Sequence, residues 1–309
     1  MDVVTSIITD EMKLQGYKFK TVSIKHLTAV QDAVGNLVRE GTLNEKMSSG
    51  WRFYKKSNND FPDAKTIIIA AMPQSIFTMS FRWQGTDYSV IVPPGYILET
   101  DDLNAETILT TTLVSKGFKV SRARMALKTL AVRSGLAQYG RNNITYVSGM
   151  GSYHRLIAFY TDYSSEADDW QPPETMVKCQ KCTLCRDNCP TGCIPADRFL
   201  IHAENCLTYL NEAEEDFPAW VNPDWHNAII GCMSCETVCP VNKPYLKNIK
   251  TGPAFTEEET ELILKKTPEK KLSPGMKEKL HNFIEDGYLP MLGRNLMVLI
   301  EKQRKAAIL

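Results

Sequence analysis

The sequence predicts three consecutive segments: an α/β (α+β) domain over residues 1-170, a cysteine-rich domain over 171-248 and a helical extension over 249-309. Three observations carry that division. Apolar residues recur at helical spacing and in short β-branched runs through the first half. All 9 cysteines fall between Cys179 and Cys239. Beyond Pro244 the chain turns charged, with two helix-start signals.

In the first segment, Ser23 is placed to cap a helix whose Leu27, Val30, Val34 and Leu37 share one face. The run Thr66-Ile67-Ile68-Ile69-Ala70-Ala71-Met72, ended by Pro73, suits a strand buried on both sides. A second helix is expected from Asp101-Asp102 to Lys116-Gly117, with Leu103, Ile108, Leu109 and Leu113 as its apolar positions. Two further strands, Asn143 to Val147 and Arg155 to Tyr160, flank a glycine-rich turn, Ser148-Gly149-Met150-Gly151-Ser152. Between Phe77 and Ile97 lies an aromatic stretch with Arg82-Trp83 and Pro93-Pro94-Gly95-Tyr96, read as a loop lining a pocket or as a surface hairpin. Asp168-Asp169 and Pro172-Pro173 mark the linker into the cysteine region. Farther on, Thr256 before Glu257-Glu258-Glu259, and Ser273-Pro274, are helix starts, whereas Glu269-Lys270-Lys271 is a solvated helix end.

Composition narrows the chemistry. Lysine plus arginine and aspartate plus glutamate both number 36, so the charge balance implies no polyanion-binding surface. No run approaches the roughly 18 apolar residues of a membrane span, and the first residues lack a basic, apolar leader. A cytoplasmic location is expected, and the clustered cysteines point to a metal rather than to disulfides.

Cys179, Cys182, Cys185 and Cys189, followed by Pro190, reproduce the C-x2-C-x2-C-x3-C-P spacing of bacterial ferredoxins. Three such closely spaced thiolates wrap one 4Fe–4S cluster while the fourth reaches another. The required partner motif is Cys232, Cys235 and Cys239-Pro240, lacking its first cysteine, which Cys206 supplies. Cluster one then takes Cys179, Cys182, Cys185 and Cys239; cluster two takes Cys189, Cys206, Cys232 and Cys235. Cys193 is left as a small buried residue beside them. Tetrathiolate zinc also uses C-x2-C, but has no need of this crossed pair.

Three stretches together resemble the epoxyqueuosine reductase family: Cys179 to Pro190; Asn205-Cys206-Leu207-Thr208-Tyr209-Leu210; and Ile230 to Pro240. Upstream, Leu130 to Asn143 followed by Gly151-Ser152-Tyr153 is similar to that family's glycine-containing segment, so the likeness covers about residues 60 to 245. The resemblance implies a base-off cobalamin in the first domain, reduced by the clusters, as in the related reductive dehalogenases. The architecture it implies is an α/β (α+β) cobalamin-binding domain followed by a bacterial ferredoxin-like two-cluster domain and a short helical C-terminal tail. It implies that Gly135, Gly140 and Gly151 let backbone approach the corrin, with Arg141, Asn142, Ser152 and Tyr153 beside it.

Two departures from the family pattern bear on the substrate. Where those enzymes carry an acidic proton donor, this chain has Ser121, flanked by Arg122 and Arg124. Tyr88, Tyr96 and His154 are therefore the expected proton donors, and Arg122 the candidate clamp for an anionic substrate. Fewer than about 70 residues follow Pro240, whereas the family continues into helical repeats that hold tRNA. The reading is a cobalamin-dependent reductase whose substrate is a small molecule or a corrinoid protein rather than tRNA, fed by reduced ferredoxin or flavodoxin. An electron relay without bond-breaking chemistry, and a true epoxyqueuosine reductase, are the alternatives.

Overall fold

The computed structural model describes residues 2–44, 61–97, 101–281, 284 and 286–308. The chain divides into two compact units, Met1–Pro73 with Thr100–Cys182, and Gln74–Glu99 with Thr183–Leu309.

The first unit is built on one sheet. Strands β1 (Lys18–Ser23), β2 (Thr66–Pro73), β5 (Val120–Ala123) and β8 (His154–Thr161) lie in the order β1-β2-β8-β5. Every neighbouring pair is antiparallel, so of the two architectures the sequence allowed, α+β is the one adopted. The alternation along β2 explains why the run is apolar throughout. Ile67, Ile69 and Ala71 face a core shared with Leu27 and Val30 of α2 (Leu27–Arg39) and with Leu130 to Val132 of α4 (Leu127–Arg133). Ile68, Ala70 and Met72 face the opposite core, closed by Ile8 and Met12 of α1 (Val3–Leu14) and by Leu109 and Leu113 of α3 (Asp101–Ser115). A central strand covered on both faces has no place for a polar side chain. On α3, Ala105 takes the inward position that Leu103 was expected to hold, and Leu103 is 65% exposed.

A two-stranded ribbon completes this unit, β6 (Ala137–Tyr139) against β7 (Thr145–Val147). The linker toward the cysteines is fastened down rather than free. Asp168 accepts from the Ser23 N–H and pairs with Lys25 and His26, Asp169 pairs with Lys20, and Trp170 stacks on His26 at 4.3 Å.

In the second unit, Ile76–Trp83 (β3) and Thr86–Val92 (β4) form a hairpin closed by Gln84 and Gly85, both at positive φ (50° and 77°), a conformation suited to the right-handed twist of the strands. The aromatic stretch from Phe77 is thus largely this hairpin. Strand β9 (Ile249–Phe255) pairs parallel to β3, with Phe255 stacked on Phe81 at 4.7 Å. The segment expected to be a helical tail therefore opens with a strand. Its helices α8 (Glu257–Leu264), α9 (Pro274–His281) and α10 (Leu289–Ile308) supply Ile263, Met276, Leu280, Leu292, Leu296 and Ile300 to a core shared with the hairpin. Thr256 and Glu259 form the reciprocal capping box that the sequence signalled. Composition had set boundaries at 170 and 248, whereas packing groups residues 74–99 with everything beyond 182.

Candidate iron–sulfur site

The two cysteine motifs adopt the same local backbone. From Lys181 to Pro190 and again from Gly231 to Pro240, a bend and two irregular residues lead into a single helical turn and a tight exit, with Cys182, Cys185 and Cys189 corresponding to Cys232, Cys235 and Cys239. The turns are α5 (Leu184–Asp187) and α7 (Ser234–Thr237). Helix α6 (Leu207–Glu212) begins at Cys206, which occupies its N-cap.

None of the 9 cysteines is joined in a disulfide. Cys193, with 3% of its surface exposed, is enclosed by Cys185, Cys189, Cys206 and Cys235. Its sulfur lies 3.5 Å from that of Cys189. Hydrogen bonding to Cys193 lowers the Cys189 thiol to about 5 and, against burial, the Cys206 thiol to about 7, while the Cys193 thiol is itself pushed up. Cys189 and Cys206 thus favour the thiolate, the form that ligates metal. Around Cys232, the Ser234 N–H and the Asn227 amide both approach the sulfur at 3.5 Å, although burial outweighs them and pushes this thiol up. The donor set and its setting fit iron–sulfur clusters. Among the described residues no three His, Cys, Asp or Glu side chains converge at single-ion distance.

The residues expected to cradle a corrin are committed within the first unit. Gly140 is required by close packing, since a Cβ there would lie 2.5 Å from the Tyr146 ring and 2.6 Å from Asn142 Oδ1. Asn142, buried, donates to Tyr146 Oη at 3.1 Å and accepts from the Ile144 N–H at 3.3 Å. Arg141 donates through Nε to the Cys182 carbonyl at 2.9 Å and through Nη2 to the Cys179 carbonyl at 2.7 Å and the Gln180 carbonyl at 3.3 Å. Gly135, at positive φ, packs on the Gln171 side chain. Gly151, also at positive φ, closes the turn that bridges to Val147, and Ser152 and Tyr153 are buried beside it. The contacts of Gly140, Arg141 and Asn142 shape a protein turn and leave little to offer a cofactor.

The candidate proton donors divide between the units, His154 in the first and Tyr88 and Tyr96 in the second. His154 donates through Nδ1 to the Gly151 carbonyl at 3.1 Å and accepts through Nε2 from the Thr145 hydroxyl at 3.0 Å, and burial lowers it to about 4. It is a neutral, structural histidine. Arg122 pairs with Glu106 at 3.6 Å on the same unit. Tyr88 is a core residue of the second unit, its hydroxyl accepting from Arg304 Nε at 2.8 Å. Tyr96 donates to the Glu212 carboxylate and covers Gly231, where a Cβ would meet its ring at 2.7 Å; burial, then the Glu212 charge, pushes its phenol up.

Sequence reasoning missed a further group. Asn295 on α10 is fully buried and donates to the Asn211 and Ile229 carbonyls at 2.9 and 2.8 Å. Arg294 donates to the carbonyls of Leu210 at 2.9 Å, Asn211 at 3.3 Å and Glu215, and its guanidinium lies 3.9 Å over the Phe217 ring. Asn211 in turn donates to the Gly231 carbonyl at 2.7 Å. The available signal was the recurrence of Gly-Arg-Asn at 140–142 and 293–295.

The family described as 4Fe-4S double cluster binding domain matches residues 178–242. Epoxyqueuosine reductase of Bacillus subtilis is 31% identical over 161 residues, covering 52% of this chain and 39% of the relative. The enzyme of the same name from Atelocyanobacterium thalassa is 26% identical over 260 residues, 78% of this chain and 81% of the relative. The chain thus spans well under half the length of the Bacillus relative that it matches. A solved structure of the Bacillus subtilis epoxyqueuosine reductase superposes with a TM-score of 0.67 at 19% identity, covering 98% of this chain and 83% of that one. An epoxyqueuosine reductase holding an epoxyqueuosine-modified tRNA stem loop superposes with a TM-score of 0.66 at 18% identity, covering 98% and 83%. The expectation that tRNA is disfavoured finds no support, since an enzyme of similar fold holds a tRNA stem loop. In sequence and in fold, the chain is epoxyqueuosine reductase-like.

Proposed function

We propose that the chain is a cobalamin-dependent iron–sulfur reductase in which two 4Fe–4S clusters pass single electrons from a reduced ferredoxin or flavodoxin to a base-off cobalamin. Cluster one takes Cys179, Cys182, Cys185 and Cys239, and cluster two takes Cys189, Cys206, Cys232 and Cys235. The observation that supports this most is the repeated cysteine turn at 181–190 and 231–240 together with Cys206 at the start of α6. Cobalamin, when bound, supplies a metal centre for reductive chemistry at a carbon centre. It is implied by resemblance alone. With Gly140, Arg141 and Asn142 committed to a protein turn, its amides would be held by other groups.

A substrate other than epoxyqueuosine-tRNA, either a small molecule or a corrinoid protein, is the first reading. It is favoured by Ser121 at the position of the family's acid and by Arg122 being paired with Glu106. The second reading, an epoxyqueuosine reductase proper, is favoured by the likeness to the enzyme that holds the tRNA stem loop. Anaerobic reconstitution with iron, sulfide and cobalamin, read by absorption and EPR, tests the cofactors: no base-off cob(II)alamin signal removes cobalamin. Offering the reduced protein an epoxyqueuosine-modified stem loop, an organohalide and an oxidised corrinoid protein then separates the readings. Conversion of the stem loop overturns the first.

A further inference from the structure

Gly-Arg-Asn occurs at 140–142 and again at 293–295, in a hairpin turn and in a helix, and the two copies do the same thing. In each, the glycine allows close approach: a Cβ on Gly140 would collide with Tyr146 and one on Gly293 would lie 2.3 Å from the Ile263 carbonyl. In each, the asparagine is buried, 4% exposed at Asn142 and 0% at Asn295. In each, the arginine spreads its fork over three backbone carbonyls of one segment, which carries Cys179 and Cys182 in the first case and follows Cys206 in the second. Arg141 takes Cys179, Gln180 and Cys182; Arg294 takes Leu210, Asn211 and Glu215, just beyond Cys206.

We infer that Arg141 and Arg294 are positioning residues, one for each cluster, that hold the ligand-bearing loops in shape through their carbonyls. The inference rests on the two-cluster reading given above. The physical need is plain from the loops themselves. The segment 176–182 has only a single 3-10 turn of internal order, Val177–Cys179, and the Cys179 N–H is spent on the Met176 carbonyl. A short turn of this kind does not hold two thiolates in a fixed relation alone. Arg141 fixes both ends of the Cys179–Cys182 interval with charge-assisted bonds from one rigid plane, a geometry that lysine cannot reproduce. Arg141 is itself aimed by its own turn: the Gly140 N–H donates to the Ile144 carbonyl, the Asn143 N–H to the Gly140 carbonyl, and Asn143 sits at φ 59°. Tyr139 of β6 anchors the approach, exchanging backbone bonds with Glu174 and Met176.

The two arginines differ in one respect that a measurement can read. Arg141 bonds directly to the carbonyls of two ligand residues, so its positive charge favours the reduced, more negative cluster. Arg294 bonds to residues four and more positions past Cys206 and lies over Phe217. It braces without the same electrostatic reach.

The test uses the full chain reconstituted anaerobically as wild type, Arg141→Met, Arg141→Lys, and Arg294→Met. Four quantities are read: iron per chain, the rate of iron release to a chelator, the EPR spectrum on stepwise reduction, and far-UV circular dichroism. Wild type that fails to bind two clusters refutes the underlying reading, not this inference. With two clusters in wild type, Arg141→Met should release iron from cluster one about tenfold or more faster, as loss of these bonds predicts. Its reduction should shift to more negative potential while cluster two is unchanged. Arg141→Lys should keep the potential and recover only part of the retention. Arg294→Met should speed release from cluster two with little shift in either potential. Wild-type release and potential in Arg141→Met overturn the inference, as does loss of the whole fold in both Arg141 variants, which would make Arg141 a folding residue.

Discussion

Asn295 is a fully buried side chain with four hydrogen bonds in the second unit, and its removal gives a quantitative test. Its amide donates to the Asn211 and Ile229 carbonyls at 2.9 and 2.8 Å, and its oxygen accepts from Arg294 Nε and Nη2 at 3.1 and 3.0 Å. The site is sealed, with no exposed surface on Asn295. In Asn295→Ala the buried Ile229 carbonyl loses its Asn295 donor outright, while the Asn211 carbonyl keeps the bond from Arg294 Nη2 at 3.3 Å. An orphaned buried polar group costs about 1–3 kcal/mol. For a cooperative unit of this size, that corresponds to a melting point lower by about 2–12 °C. Urea unfolding followed by circular dichroism measures it, provided the denaturant slope matches wild type. Asn295→Asp sharpens the assay, because it keeps the shape and the acceptor while turning an oxygen toward both carbonyls. It should lose at least as much stability at neutral pH. A loss below about 1 kcal/mol in Asn295→Ala, or an Asn295→Asp protein as stable as wild type, would show that these hydrogen bonds are not what holds α10 to the cluster-bearing loops.

Gly140→Ala should destabilise the first unit by about 1–3 kcal/mol, since the new methyl meets the buried Tyr146 ring; an unchanged melting point would mean the ring gives way. Acidification should weaken the fold from pH about 6.5 down to about 4, the interval between the ordinary histidine value and that of buried His154 and His226, because only the unfolded chain takes up protons there. By pH 5 the loss is about 2 kcal/mol for each histidine, and urea midpoints in His154→Gln should depend less steeply on pH. Cys193→Ala should retain full iron content, whereas Cys206→Ala should lose the iron of cluster two; the reverse result would exchange their roles. Cys239→Ala should abolish cluster one rather than the cluster held by its neighbours Cys232 and Cys235.

The sheet of the first unit was legible because burial on both faces leaves a local mark. The uninterrupted β-branched run from Thr66 to Met72 suits a buried strand, which is what forms, and α2 and α3 followed from apolar spacing with one substitution, Ala105 for Leu103. Strand β9 was not legible. Ile249–Phe255 contains Lys250, Gly252 and Pro253, which local propensity disfavours in strands, and it is held by pairing with β3, about 170 residues earlier in the chain. Grouping of residues 74–99 with the second unit escaped for the same reason, since the partners of Phe81 and Tyr88 are Phe255 and Arg304. At the site, cysteine spacing is set by cluster chemistry and could be read directly. The partners of Arg141 could not, because a side chain that bonds to carbonyls selects no residue type in the segment it holds.

That last point bears on how a cluster domain of this kind can be stable at all. Each cysteine turn contains one helical turn of four residues, Leu184–Asp187 or Ser234–Thr237, too short to persist without support. Among the described residues, Cys185, Cys193 and Ile194 form a small buried cluster at the first turn and Cys232 of the second packs on Leu207, Leu210 and Val221, a modest burial against the entropy of ordering the loops. Order must be imported from the larger cores, and the atoms available to receive it are backbone carbonyls, which tight turns leave pointing outward without intrahelical donors. A guanidinium that supplies several donors in one plane is the side chain best matched to that array. At both places, in unrelated secondary structure, Gly-Arg-Asn sets an arginine that reaches several carbonyls beside a buried asparagine, which holds its own turn at Asn142 and braces Arg294 at Asn295, and a glycine where a Cβ would collide, with the Tyr146 ring at Gly140 and the Ile263 carbonyl at Gly293.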